Sequence, residues 1–245
     1  MKPDIQAVFL DVGNTLRILL KDAPYQAQAR QQMADIAGST ESPDAFCAQI
    51  DARYKTYRKW AFANRVEASE KELWTRWLLP DLPADKIASS SGELTALYRQ
   101  SMGRRVMVAN AKEVVVELDK RGYILGIISN VITEREIPEW LEADGLTPYF
   151  KSVLLSSVFG KRKPDPEIYW EAARHAGVEP AHCAYVGDNV NRDVTGTRQA
   201  GFGMVVILAD AKELEQETIT DENRPDVIIH EFTELLNVFP MRKGI

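Results

Sequence analysis

Cysteine is scarce in this chain: only Cys47 and Cys183 occur among 245 residues, and they stand far apart. Two such residues build no disulfide framework, so the expected compartment is a reducing one, the cytoplasm. Histidine is also rare, and none of His175, His182 and His230 stands near a motif that suggests metal ligation. No run approaches the ~20 apolar residues that a bilayer-crossing helix needs. The opening Met1-Lys2-Pro3-Asp4-Ile5-Gln6 has no apolar core of the kind a secretion signal carries. Positive charge is not in excess either: Lys and Arg number 30 against 36 Asp and Glu, a formal net charge of -6. That balance argues against nucleic acid or an anionic membrane as a partner, because phosphate backbones are held chiefly by Lys and Arg. The sequence has no internal repeat and no low-complexity tract.

What the chain does contain is an ordinary globular composition, 45% hydrophobic and 27% charged. Its length suits one large α/β domain, or a domain of about 150 residues carrying a smaller insertion. A short apolar run at 7–10 predicts the first strand, but the next convincing run, 123–128, lies far along the chain. Between them, segments 23–37, 43–62, 70–78 and 92–101 place apolar and aromatic residues at three- and four-residue spacing, the helical period. Residues 17–104 are therefore expected to form a helical cap domain inserted after the first strand, and residues 1–16 with 105–245 the α/β core. Within that second stretch, helices at 111–121, 132–144, 166–177 and 231–238, and one ending near Ala200, alternate with strands at 152–156, 183–186, 203–208 and 227–230. Short apolar runs alternating with helix-length segments read as parallel strands buried on both faces. The predicted fold class is α/β: a Rossmann-like three-layer parallel sheet with an inserted helical cap. Helix 166–177 is the best signalled, with Asp165 as N-cap, Pro166 in the first turn and Gly177 as the stop.

Polar residues stand at or just beyond the ends of these runs. Asp11 follows Ala7-Val8-Phe9-Leu10, and Ser129 and Asn130 follow 123–128. Lys163 stands in Gly160-Lys161-Arg162-Lys163-Pro164-Asp165-Pro166. Asp188 and Asp193 stand in Gly187-Asp188-Asn189-Val190-Asn191-Arg192-Asp193. Parallel sheets bind ligands beyond the carboxyl ends of their strands, where these residues fall. Each alone has a plain alternative, since Asp and Ser after a strand commonly cap helices and a loop lysine is commonly solvated. Together they describe one anionic reaction site.

Four such motifs in this order resemble the haloacid dehalogenase superfamily, and the helical insertion after the first of them resembles that family's helical, C1-type cap. The likeness runs from Asp11 to Asp193. It implies a hydrolase in which Asp11 is the nucleophile and forms a covalent aspartyl intermediate. It further implies that Ser129, Asn130 and neighbouring backbone N–H groups bind phosphoryl oxygens and that Lys163 neutralises charge on nucleophile and substrate. The implied cofactor is Mg²⁺, a hard ion that prefers oxygen, held by Asp11, the carbonyl of Gly13, Asp188 and Asp193. The cation offsets the repulsion between a carboxylate and a phosphate dianion. The implied partner is a small phosphorylated or otherwise anionic substrate, with the chain a monomer or homodimer. Arg17, just past the nucleophile loop, is an expected substrate contact because guanidinium suits anions. Tyr25, Arg58 and Trp60 are further conceivable contacts.

The first motif departs from the family's phosphatases at one position. They usually carry a second aspartate two residues after the nucleophile, which protonates the leaving oxygen and later activates water. Here the motif is Asp11-Val12-Gly13-Asn14-Thr15. Gly13 does neither job, and Asn14 has no titratable proton. Losing a general acid/base costs on the order of 10²- to 10⁴-fold in rate. Three readings stay open. The first is a Mg²⁺-dependent phosphatase that is slow, uses good leaving groups, or borrows an acid from cap or substrate. The second is a dehalogenase-like hydrolase of 2-haloacids, whose departing halide needs no proton. The third is a non-catalytic protein that binds phosphorylated ligands. Retention of Lys163, Asp188 and Asp193 favours the first.

Overall fold

Strand β1 (Ala7–Leu10) is buried along its whole length, as its apolar run requires, and in the computed structural model it lies at the centre of a parallel sheet. The structure describes residues 4–210 and 219–242. Residues 1–3, part of the N-terminus considered above, and 211–218 and 243–245, part of the expected 105–245 core, lie outside the described residues. The strands that follow along the chain are β2 (Arg17–Leu20), β3 (Arg104–Met107), β4 (Ile124–Ser129), β5 (Phe150–Leu155), β6 (Cys183–Gly187), β7 (Met204–Leu208) and β8 (Val227–Ile229). The main sheet has the order β5-β4-β1-β6-β7-β8, every pairing parallel. Helices α6 (Ala111–Lys120), α7 (Glu136–Ala143), and α8 (Ser156–Phe159) with α9 (Pro166–Ala176) connect successive strands. One apolar cluster, with Val114, Leu118, Ile137 and Leu235, packs against Val8, Leu10, Ile127 and Val186. A second packs Ile168, Tyr169 and Ala172 against Ala7, Phe9 and Tyr185. Alternate residues of β1 thus feed opposite layers, which gives the three-layer architecture read from the sequence.

The chain leaves β1 through β2, and β2 pairs antiparallel with β3 as a two-stranded ribbon outside the main sheet. Between those strands run α1 (Ala23–Ala37), α2 (Pro43–Asn64), α3 (Glu70–Glu72, continuing as a π-helical stretch Leu73–Leu78), α4 (Ala84–Ser89) and α5 (Ser91–Met102). Their buried residues, among them Met33, Ile50, Tyr57, Trp74 and Leu94, form a core of their own, to which the main body contributes Ile132. The sequence pattern found α1, α2, α3 with its continuation, and α5, and missed α4 and the ribbon. Ile18, Leu19 and Leu20 are exposed and adjacent rather than alternating in burial, so no period of two marks them. A second difference concerns the helix expected at 132–144, which begins only at Glu136. The Thr133 hydroxyl accepts from the Glu136 N–H, and Glu70 and Glu134 exchange backbone-to-carboxylate bonds, so 132–135 is held as a loop by side-chain partners. Helix α9 matches its signals: Asp165 accepts from the Glu167 N–H, and Gly177 closes the helix at φ 71°.

Candidate active site

Strand order brings the motifs together. β1 lies between β4 and β6, so Asp11 beyond β1, Ser129 at the end of β4 and Asp188 beyond β6 sit side by side at the carboxyl edge. The Asp11 N–H extends the ladder by bonding the Val186 carbonyl at 2.8 Å, which fixes where its side chain emerges. One carboxylate oxygen, Oδ1, accepts from the Val12 N–H at 2.8 Å. The other, Oδ2, faces the Lys163 ammonium at 2.8 Å.

Lys163 is completely buried, which a lone lysine does not tolerate without partners. Its ammonium has three: Asp11 Oδ2, Asp193 Oδ1 at 3.4 Å, and the Tyr185 hydroxyl, to which it donates. Its backbone is set by Asn130, whose side chain accepts from the Lys163 N–H at 2.8 Å and donates to its carbonyl at 2.9 Å. Asn130, expected at the substrate, is placed by the structure against the Lys163 backbone. Ser129 is buried at 4% exposure on the neighbouring strand end.

The loop after β6 returns on itself. Asn189, to which the motif alone assigns no role, accepts from the Arg192 N–H and starts a π-helical stretch, Val190–Val194, that carries Asp193. Asp193 Oδ2 accepts from the Asn189 N–H at 3.1 Å. A Cβ on Gly187 would collide with the Asp193 carboxylate, so this close approach requires glycine there. Asn14, in the left-handed region at φ 54°, donates to Asp188 Oδ2 at 2.9 Å and orients that carboxylate. Asp11, Asp188 and Asp193 offer oxygens that lie within 4.8 Å of one another. Three hard oxygen donors so grouped, with no thiolate or imidazole among them, fit Mg²⁺ by donor chemistry.

Burial raises the Asp11 carboxyl above the ordinary aspartate value, with the charges of Lys163 and Arg192 pulling against it. Burial acts the same way on Asp193, but there Lys163 and Arg192 prevail and the carboxyl is held below its ordinary value.

Arg192 is the residue the sequence reading missed. Its Nη2 lies 2.9 Å from Asp11 Oδ2, 3.0 Å from Asp188 Oδ1 and 2.8 Å from Asp193 Oδ2, while Nε donates to Asp193 Oδ1 at 2.7 Å. The signal was available: Arg192 stands inside the acidic motif, next to Asp193 and four residues after Asp188. Arg17 goes the other way. Its guanidinium is ion-paired with Asp144, donates to the Arg105 carbonyl at 3.3 Å and lies over the Trp140 ring at 4.5 Å, and it forms no hydrogen bond or ion pair with Asp11, Ser129 or Lys163. The structure places Arg17 apart from the charged cluster: β2 carries it to α7, where a carboxylate and an aromatic face hold it. Tyr25 lies under Arg104, Arg58 over Phe62, and Trp60 against Tyr57 and Trp77. A Cβ on Gly13 meets nothing within 4 Å.

A parallel sheet whose carboxyl edge gathers a carboxylate, a buried lysine and an acidic loop has the frame of a hydrolase of the α/β class. A family model for haloacid dehalogenase-like hydrolases matches residues 5–201, and the chain belongs to that family. It is 28% identical over 227 residues to a phosphoserine phosphatase of Thermus thermophilus, covering 82% of this chain and 88% of the relative. It is 32% identical over 124 residues to a glyceraldehyde 3-phosphate phosphatase of Methanopyrus kandleri, covering 51% of this chain and 52% of the relative. The chain thus spans about half the length of several of the curated relatives it matches. The crystal structure of a 2-haloacid dehalogenase from Pseudomonas syringae pv. Tomato DC3000 superposes with a TM-score of 0.65 at 22% identity, over 96% of this chain and 97% of that one. That likeness concerns the fold. No helix among the described residues is long and apolar enough to cross a membrane.

Proposed function

We propose that this protein is a phosphohydrolase of small phosphorylated metabolites, acting in the cytoplasm through an aspartyl-phosphate on Asp11. The observation that carries the reading is the buried Asp11–Lys163 pair, an ammonium 2.8 Å from the one carboxylate oxygen not held by the backbone. Attack by Asp11 forms a phosphorus–oxygen bond to the carboxylate and breaks the bond to the leaving oxygen. Water then attacks phosphorus, releasing phosphate and restoring Asp11. Lys163 would supply positive charge where charge accumulates on the phosphoryl oxygens, and Ser129, on the neighbouring strand end, would donate to them. Mg²⁺, held by Asp11, Asp188, Asp193 and the Gly13 carbonyl, would offset the repulsion between nucleophile and phosphate. The leaving oxygen receives no proton from position 13, so acyl phosphates and other good leaving groups are the preferred substrates.

The helical segment 17–104 is read as the cap that closes over this site. Its separate apolar core and its tether through the β2–β3 ribbon support that division. A phosphate-release panel tests the function, run with Mg²⁺ and with EDTA and starting from phosphoserine, glyceraldehyde 3-phosphate and acetyl phosphate. Metal-stimulated release from at least one compound is expected, and no release from any contradicts the reading. Gly13 favours one second reading, hydrolysis of a 2-haloacid, because halide departs without a proton. Halide release from 2-chloropropionate that survives EDTA would establish it.

A further inference from the structure

Arg192 does not merely neighbour the acidic cluster. A single atom, Nη2, stands 2.8 to 3.0 Å from one oxygen of each of Asp11, Asp188 and Asp193. That is the place of a cation shared by three carboxylates. With Lys163 as the second positive group, the guanidinium leaves the set of three aspartates one charge short of neutral, whereas a divalent ion beside Lys163 would balance it. Mg²⁺ bonds oxygen at about 2.0–2.1 Å. An ion drawing on these same oxygens needs the volume that Nη2 fills, and two cations in that volume repel strongly in a buried site. The backbone of Arg192 is pinned by the Asn189 cap, but its side chain is 23% exposed, so the guanidinium has a route to solvent without unfolding the loop.

We propose that Arg192 is a built-in competitor of the divalent cation: it holds the three carboxylates together in the metal-free chain and must swing out for Mg²⁺ to bind. The proposal rests on reading this cluster as the cation site, and it adds a regulation of that site, a metal requirement set by an internal side chain. The apparent affinity for Mg²⁺ is the intrinsic affinity reduced by the fraction of molecules with Arg192 displaced.

The test is Mg²⁺ binding to the purified chain by titration calorimetry and thermal shift, beside Arg192→Gln and Arg192→Lys. Arg192→Gln keeps most of the side-chain length and removes the charge. It is expected to melt lower than wild type in EDTA, to bind Mg²⁺ about tenfold tighter or more, and to gain more in melting temperature as Mg²⁺ is added. Arg192→Lys, with one charge and no fork, falls between the two. Equal affinities in wild type and Arg192→Gln overturn the competitor while leaving the cation site standing. Absence of Mg²⁺ binding in both overturns the cation site and the proposal with it. A measurement on wild type alone guards against a variant that folds poorly. The Arg192 Nε–H, which donates to Asp193, gives a protected resonance in ¹⁵N spectra that saturating Mg²⁺ is expected to abolish or shift. An unchanged resonance at saturation contradicts displacement. None of these readouts depends on turnover, so they separate from the phosphatase reading.

Discussion

At the scale of single residues, Gly13 decides how fast the proposed chemistry runs. The position two after the nucleophile carries no side chain, yet the space is open: a Cβ there meets nothing within 4 Å, and the backbone is not in the left-handed region. Gly13→Asp should therefore fit and supply the missing proton donor. Its phosphate-release rate on a monoester with a poor leaving group is predicted to rise by on the order of 10²-fold or more, with much less gain on acyl phosphates. A variant that folds and is no faster on either class would show that the proton comes from elsewhere. Most of the charged cluster was legible in the sequence, because Asp11, Lys163, Asp188 and Asp193 follow strand or loop signals. Arg17 and Asn130 were legible as polar residues after the first and second motifs, but the partners the structure gives them were not. An arginine's reach lets distant Asp144 and Trp140 claim it, and a carboxamide's two-sided bonding suits the Lys163 backbone. Arg192 was hidden by the habit of counting only carboxylates in an acidic motif.

At the scale of elements, the loop that bears Lys163 is clamped to the turn that follows α2 in the helical segment. The Arg65 carbonyl accepts from the Arg162 N–H and the Gly160 carbonyl from the Glu67 N–H. Glu67 is buried, accepts from the Tyr57 and Ser156 hydroxyls, and pairs with Arg162 at 3.2 Å. No sequence period marks this clamp, since it joins residues almost a hundred positions apart through one short bridge between Val66 and Lys161. Glu67→Ala leaves the Arg162 guanidinium buried and unpaired, at a cost of about 3–5 kcal/mol. The melting temperature should fall by on the order of 10 °C. No loss in a thermal melt would mean that the clamp is idle. Burial holds the Glu67 carboxyl above its ordinary value, against the pull of Arg162, Tyr57 and Ser156. A carboxyl raised in this way binds its proton more tightly folded than unfolded, so its added stability is present below the ordinary glutamate value and is lost as pH rises through the raised one. Denaturant melts at a series of pH values should show that decline in wild type and its absence in Glu67→Gln. A parallel slope in both would contradict the shift.

At the scale of the whole molecule, two apolar cores meet where Ile132, beyond Ser129, enters the core of the helical segment. The alternation of strands and helices made the parallel sheet readable, because each strand had to be apolar on both sides. The π-helical stretches and the β2–β3 ribbon were not readable, because they depend on contacts that no local period records. If the helical segment is a unit of its own, Trp74→Ala should weaken it selectively. Trp74 is fully buried and donates to Thr95, and its truncation costs about 3–5 kcal/mol. Scanning calorimetry is expected to show one transition moving down while a second, belonging to the sheet, stays in place. A single transition that shifts as a whole would mean that the two cores unfold together. The central claim is that Asp11 itself makes the bond to phosphorus, and Asp11→Asn tests it most directly, since the amide keeps the shape and removes the attacking charge. With any substrate that wild type turns over, the variant should fold normally and release phosphate at least about 10³-fold more slowly. Phosphate release at a rate near that of wild type would contradict the account.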